Sequence, residues 1–170
     1  SVEVTVIDKN GERVHSFSQR IKLALNQNTF VGGSPSLSVD AVEGVAQFSG
    51  AIGIPQSGYV LRASSDFLPP TLVASSPFDV VPGAPYNIFA LAGYGQSAPA
   101  GSATSPAPTV RVTDRHGNVL AGVLVNWTVL GDPTGTATPT STTTDGAGIA
   151  STTWTLVLGS NSMNANLGSG

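Results

Sequence analysis

The chain of 170 residues contains no cysteine, which excludes disulfide staples, thiol chemistry and cysteine-based zinc sites. Charge is scarce as well. Asp, Glu, Lys and Arg make up 10% of the residues, where a typical soluble domain carries about 25%. With 7 basic against 10 acidic residues and a formal net charge of -3, the sequence has no basic footprint for neutralising phosphates. That argues against nucleic acid as a partner, and it leaves no polybasic patch for a membrane surface. No apolar run approaches the ~18 residues needed to span a bilayer, so direct membrane insertion is not expected of this segment. Aromatic residues amount to 6% of the chain, too few for an obvious planar binding platform. Helical periodicity is missing from end to end. The chain is expected to be a soluble ectodomain or a segment of one, with any signal or anchor outside it.

What the sequence does have is repetition. The pattern Val4-x-Val6-x-Asp8-x-x-Gly11 returns as Val110-x-Val112-x-Asp114-x-x-Gly117, about a hundred residues later, which is the period of one small β-sandwich. Further matches keep the same order: Ile21-x-Leu23-x-Leu25 with Val123-x-Val125-x-Trp127, Gly44-Val45-Ala46 with Gly148-Ile149-Ala150, and Leu61-x-Ala63 with Met163-x-Ala165. Apolar alternation at a period of two residues marks half-buried strands, and the intervening Asp-Lys-Asn-Gly and Asp-Arg-His-Gly tetrapeptides carry turn chemistry. The fold class expected is all-β, as two tandem antiparallel β-sandwiches over residues 1–81 and 82–170. The segment Val81-Pro82-Gly83-Ala84-Pro85 breaks the pattern and supplies a short, proline-stiffened boundary. The threonine-rich run from Thr134 to Thr144 reads as two short strands around Pro139, because Thr has high β propensity and alternates there with small residues.

The second copy resembles the bacterial immunoglobulin-like repeats of the invasin and intimin type. The motif runs Val110-x-Val112-x-Asp114-x-x-Gly117-Asn118, then Gly122-Val123, then Thr144-Asp145-x-x-Gly148-x-Ala150. The first copy keeps Asp8, Asn10, Gly11, Gly44, Val45, Ala46 and Phe48 and resembles a more diverged relative. The resemblance implies immunoglobulin-like sandwiches in a secreted or cell-surface bacterial protein, strung as stalk, adhesin or fibre subunits. It implies as partners copies of the chain or neighbouring immunoglobulin-like domains, with a host or surface ligand as the alternative.

Few residues invite a chemical role. His15 and His116 do not occupy equivalent repeat positions and stand in no chelating pattern. Asp8 with Asn10, or Asp114 with Asp145, falls short of the oxygens that calcium needs, and Asx-turn roles account for them. No acid pair, nucleophile–base pair or metal set stands out. The reading is therefore non-enzymatic, with no catalytic residue, no metal site and no cofactor. Trp127 occupies the place of the strand-C tryptophan of an immunoglobulin sandwich, with Leu25 as its counterpart in the first copy. These two, with Phe48, Tyr59, Leu61 and Trp154, are expected to form the structural core. Tyr59, two residues before Leu61, reads as a tyrosine corner, and Asn161 replaces it in the second copy, whose corner must be held differently. Tyr94 and Asp145 lie near strand-end loops that would serve a ligand-binding alternative.

The two copies differ at their ends. The second has an opening strand, Tyr86 to Ala92, without a counterpart in the first, and the first has a closing strand, Thr71 to Val80, without a counterpart in the second. Each sandwich thus presents one strand edge open to strand addition. The exchange edges expected are Val2, Val4 and Val6 in the first copy and Met163, Ala165 and Leu167 in the second.

Overall fold

In a computed structural model, residues 1–68, 72–131 and 134–168 are described, and the chain divides into two compact units, Ser1–Val81 and Pro82–Gly170. Among the described residues there is no helix, and so none long and apolar enough to cross a membrane. The strand pairings are antiparallel throughout.

The first unit contains β1 (Val2–Thr5), β2 (Arg20–Leu25), β3 (Ser36–Asp40), β4 (Val45–Phe48), β5 (Gln56–Tyr59), β6 (Leu61–Ser64), β7 (Val73–Ala74) and β8 (Phe78–Val80). β1 pairs with β4, a second sheet runs β3-β2-β6-β7, and β5 pairs with β8. Alternation decides which side chains go inward: Ile21 and Leu23 of β2 meet Ala46 and Phe48 of β4 in the core, joined by Val6 and Ala41. The closing strand is split. β7 extends β6 with Val73 opposite Ala63, whereas β8 crosses to β5 with Phe78 opposite Tyr59. Pro77 falls in the gap, where a missing backbone N–H costs no ladder bond. Thr71, the expected first residue of this strand, lies outside the described residues.

The second unit contains β9 (Asn87–Ala92), β10 (Thr109–Thr113), β11 (Leu124–Leu130), β12 (Thr136–Thr138), β13 (Ser141–Thr143), β14 (Ile149–Ser151), β15 (Thr153–Thr155) and β16 (Ser162–Leu167). One sheet has the order β14-β10-β9 and another β13-β11-β16, while β12 pairs with β15. Val110, Val112, Leu120, Val125, Trp127, Ala137 and Ala150 form the core between them. Thr152 lies between β14 and β15, where the chain leaves one sheet for another. Its buried hydroxyl donates to Pro139 O at 2.7 Å, so the threonine satisfies a polar group at the switch rather than leaving it orphaned.

One glycine is required at the same place in both repeats. Gly44 and Gly148 have φ of +80° and +73°, and a Cβ at either would strike a backbone carbonyl oxygen, that of Val14 or of Val112. Neither the torsion nor the space admits a side chain.

Candidate functional site: two open strand edges

The repeated turns hold their aspartates by the same chemistry at different depths. Asp8 Oδ1 accepts from the backbone N–H of Asn10 at 2.8 Å and of Glu12 at 2.9 Å, in an exposed turn. The bond from the Glu12 N–H, then that from the Asn10 N–H, hold its carboxyl below the ordinary value of 3.8. Asp114 is 2% exposed. Its Oδ1 accepts from His116 N at 2.8 Å and Asn118 N at 3.0 Å, and its Oδ2 from Gly83 N at 2.9 Å and Asn118 Nδ2 at 2.8 Å. Burial alone would raise this carboxyl. The four donors outweigh it and bring the pKa down to about 2, as expected of a carboxylate gripped by several N–H groups. Asp145 Oδ1 accepts from Ala147 N and Ile149 N, both at 2.9 Å. These carboxylates organise their own turns, and no cluster of three or more His, Asp or Glu side chains suited to a metal ion occurs among the described residues.

The expected core residues divide by depth. Tyr59 is fully buried, and Phe48, Trp127 and Trp154 are 2%, 4% and 9% exposed. Leu61 is half-buried and packs against the first core. Leu25 is also half-buried and stands outside that cluster, because it ends its strand and pairs only with Leu61 before the chain turns away. Asn26 follows it, exposed but not idle. Its amide donates to Gly58 O at 3.0 Å and accepts from Val60 N at 2.8 Å.

The corner residues differ in chemistry and share a task. The Tyr59 hydroxyl donates to Ile54 O at 2.9 Å and accepts from Asn28 Nδ2 at 2.8 Å, while its ring stacks on Phe78 with centroids 5.9 Å apart. In the second unit Asn161 Oδ1 accepts from Val157 N at 2.9 Å and its Nδ2 donates to Val157 O at 2.8 Å and Gly159 O at 3.0 Å. An amide clamp thus closes the loop that a phenol closes in the first unit.

Both expected exchange edges are strand margins. Val2 and Val4 are half-buried and Val6 is 8% exposed. Val2 and Val4 lie on β1, which pairs with β4 alone among the described residues while its counterpart β10 is flanked by β14 and β9; Val6 follows the strand, and its carbonyl accepts from Val14 N at 2.9 Å. Met163 and Ala165 are half-buried and pack on the second core, and Leu167 is 36% exposed. Their strand β16 pairs with β11 alone among the described residues, while its counterpart β6 is flanked by β2 and β7.

Beside β16 lies a groove of about 450 Å³. One wall is Met163 and Ala165, the other Ile88, Ala90 and Ala92 of β9, and its floor includes Val110, Trp127 and Trp154. Trp127 Nε1 donates to Thr142 Oγ1 at 2.8 Å. Trp154 Nε1 is buried and has no partner among the described residues; the same ring also borders a smaller hollow beside Gln96. The β9 wall and the orphaned Trp154 donor were not evident from the sequence, because both depend on which strands face each other across the sandwich. The one local signal was Gly93-x-Gly95. Gly93 has φ of +80° and sits against Pro108 too closely for any Cβ, next to the irregularity that separates Thr109 and Val110 in the β9–β10 register.

Residues 90–168 match the profile of the bacterial Ig-like domain (group 1). Among solved structures, the chain is similar to the crystal structure of invasin, a bacterial integrin-binding protein. The identity is 19% and the TM-score 0.43, over 97% of this chain and 32% of that one. It is similar also to the D0-D1 domain of intimin, at 19% identity and a TM-score of 0.35, over 97% of this chain and 80% of that one. No curated protein matches the chain.

Proposed function

We propose, from the match of residues 90–168 to the profile of the bacterial Ig-like domain (group 1), that the chain is a non-enzymatic structural module of a bacterial cell-surface or extracellular protein. It consists in this reading of two tandem immunoglobulin-like domains, 1–81 and 82–170, and serves as a stalk, adhesin or fibre element. The observation that carries it is the match of residues 90–168 to that profile; among the described residues β1 of the first unit and β16 of the second each pair along one edge. Copies of the chain or neighbouring immunoglobulin-like domains are the partners, joined by strand addition at the other edge of each. Immunogold labelling of intact cells that produce the parent protein tests the location. Label on unpermeabilised cells is expected, and label only after permeabilisation overturns the reading.

A second reading, a glycan- or protein-binding ectodomain, is favoured by Tyr94, which is 73% exposed and lines the mouth of the β9–β16 groove. Asp145 supports it less, since its Oδ1 already serves the β14 turn. Glycan-array binding that disappears in Tyr94→Ala would establish this alternative.

A further inference from the structure

We infer that the outer face of the β9–β10 pair in the second unit is a binding site for an extended acidic segment of a partner protein, a carboxylate side chain with apolar ones on either side of it. The inference rests on the reading above that the chain meets protein partners, and it states the chemistry of one of them.

Alternation puts the lining in place. In β10, Val110 and Val112 enter the core and leave Arg111 on the opposite face; in β9, Ile88 packs on the same core and leaves Phe89 and Leu91 exposed. The register sets Arg111 directly against Phe89 on one side and Ile149 of β14 on the other, so this arginine stands in an apolar row. One rung further, Thr113 is bridged to Val119. Between these two residues the Asp114 turn projects, and its Arg115 and His116 join Arg111, Phe89, Leu91 and Val119 around one open hollow of about 450 Å³. That is the size of a small-ligand or peptide pocket.

The hollow gathers the positive charge of its unit. Residues 82–170 contain two arginines, one histidine and no lysine, and Arg111, Arg115 and His116 all line it. In a unit so poor in charge, this makes a patch of one sign. No carboxylate opposes it. The ion pair found among the described residues is Arg20 with Asp40, in the first unit, and no acidic side chain lines the hollow. Asp114 is next in sequence to Arg115, yet both its oxygens already accept from N–H groups of its own surroundings.

The frame does not demand these cations. The first copy has Thr5 at the repeat position of Arg111 and Asn10 at that of His116, and builds the same turn on Asp8. What the frame contributes is rigidity: the bonds accepted by Asp114 hold the turn, and Arg115 Cζ lies 5.1 Å from the centre of the Tyr86 ring. Side chains fixed beforehand lose less entropy on binding.

The lining also selects the occupant. Arginine donates and never accepts, and its fork matches a carboxylate through two parallel N–H···O bonds. Phe89 and Leu91 lie two residues apart on one face, about 7 Å along the strand, which is the spacing of same-face side chains in any extended peptide. A segment with its acid between apolar side chains at that spacing meets the charge and covers the exposed Phe89 and Leu91 together. An acidic sugar shares the carboxylate, but it brings many hydroxyl donors to a hollow that has no carboxylate to receive them.

The probe is the peptide acetyl-Leu-Ser-Glu-Ser-Leu-amide, titrated at low salt into the intact, isotope-labelled chain and followed by backbone amide chemical shifts. Saturable shifts are expected over residues 86–91 and 111–119. The same peptide with glutamine in place of glutamate should bind at least about tenfold more weakly, since it keeps the shape and loses the charge-assisted pair. In the protein, Arg115→Gln alters an exposed side chain, should leave the melting temperature nearly unchanged, and should weaken the acidic peptide by about tenfold. Arg115→Lys, which keeps the charge without the fork, should fall between the two. Phe89→Ser should weaken the acidic and the glutamine peptides alike. Absence of saturable shifts, equal binding of the two peptides, or undiminished binding by folded Arg115→Gln overturns the inference. So does binding of oligogalacturonate at these residues without binding of the peptide, since that assigns the hollow to an acidic glycan. None of these results bears on whether the parent protein is displayed at the surface, which the labelling experiment decides separately.

Discussion

The two units share a frame and differ in how it is closed. Counterpart strands β1 and β10, β2 and β11, β4 and β14, and β6 and β16 occupy corresponding pairings. Among the described residues, the first unit adds a strand beside β6 and the second adds one beside β10. The difference teaches that one frame accepts its additional strand at either of two places. It also shows how one structural task passes between side chains of different chemistry, with Asn161 for Tyr59.

The largest test of the comparison lies in the core. Trp127→Ala should destabilise the second unit by about 3–5 kcal/mol, the range for emptying a large aromatic site. Leu25→Ala in the first should cost only about 1–2 kcal/mol, since a half-buried leucine forfeits less transfer energy. Denaturant unfolding followed by circular dichroism measures both. Equal losses would mean that the two positions are equally deep and the observed division by burial is wrong.

The corners come next. Asn161→Ala strands the N–H and C=O of Val157 and should cost about 2 kcal/mol, whereas Tyr59→Phe removes one hydroxyl from an otherwise intact ring and should cost about 1 kcal/mol. Thermal melts of the two variants check the order. A Tyr59→Phe change larger than that of Asn161→Ala would break the equivalence of amide clamp and phenol.

Acid sharpens the contrast between the turns. The Asp114 carboxyl is depressed from 3.8 to about 2, so its contribution is fully present above the unfolded-state value and is lost as the pH falls from about 4 through about 2. The amount is about 1–2 kcal/mol by linkage. Asp114→Asn should therefore flatten the stability of the second unit between pH 4 and 2, read as the denaturant midpoint at each pH. The smallest effect is expected for Asp8→Asn. That aspartate is also depressed, by its bonds to Glu12 and Asn10, but the solvent around it screens what it gains, so the acid profile of the first unit should barely move.

Much of the frame was legible in the sequence because alternation is a local signal. Val125 and Trp127 inward with Asn126 outward, or Ile21 and Leu23 inward with Lys22 outward, follow from a period of two residues, and the burial of these side chains follows it. Alternation gives the face, however, not the depth. Leu25 shares a face with Leu23 and is nevertheless half-buried, since depth depends on what lies opposite. The split of the closing strand between β6 and β5, and the crossing of the chain at Thr152 from the β10 sheet to β12, were illegible for the same reason. The shared pairings could be read because the chain supplies its own control, a second copy of the frame. The Trp154 donor could not, because its lack of a partner is a property of distant segments brought together.

The register of the pairings also sets a tempo. Val2 must await Phe48, and Trp127 must await Ala165, so neither frame forms from neighbours in the chain, and refolding belongs with the millisecond-to-second class of β proteins rather than the microsecond class of helical ones. During that interval the valine and leucine faces of β1, β2 and β11 stand uncovered in a chain with 10% charged residues to keep strangers apart. The hydroxyl-rich outward faces offer little electrostatic repulsion in this phase. Such a chain is best folded dilute or escorted, and its yield at high concentration should fall before its stability does.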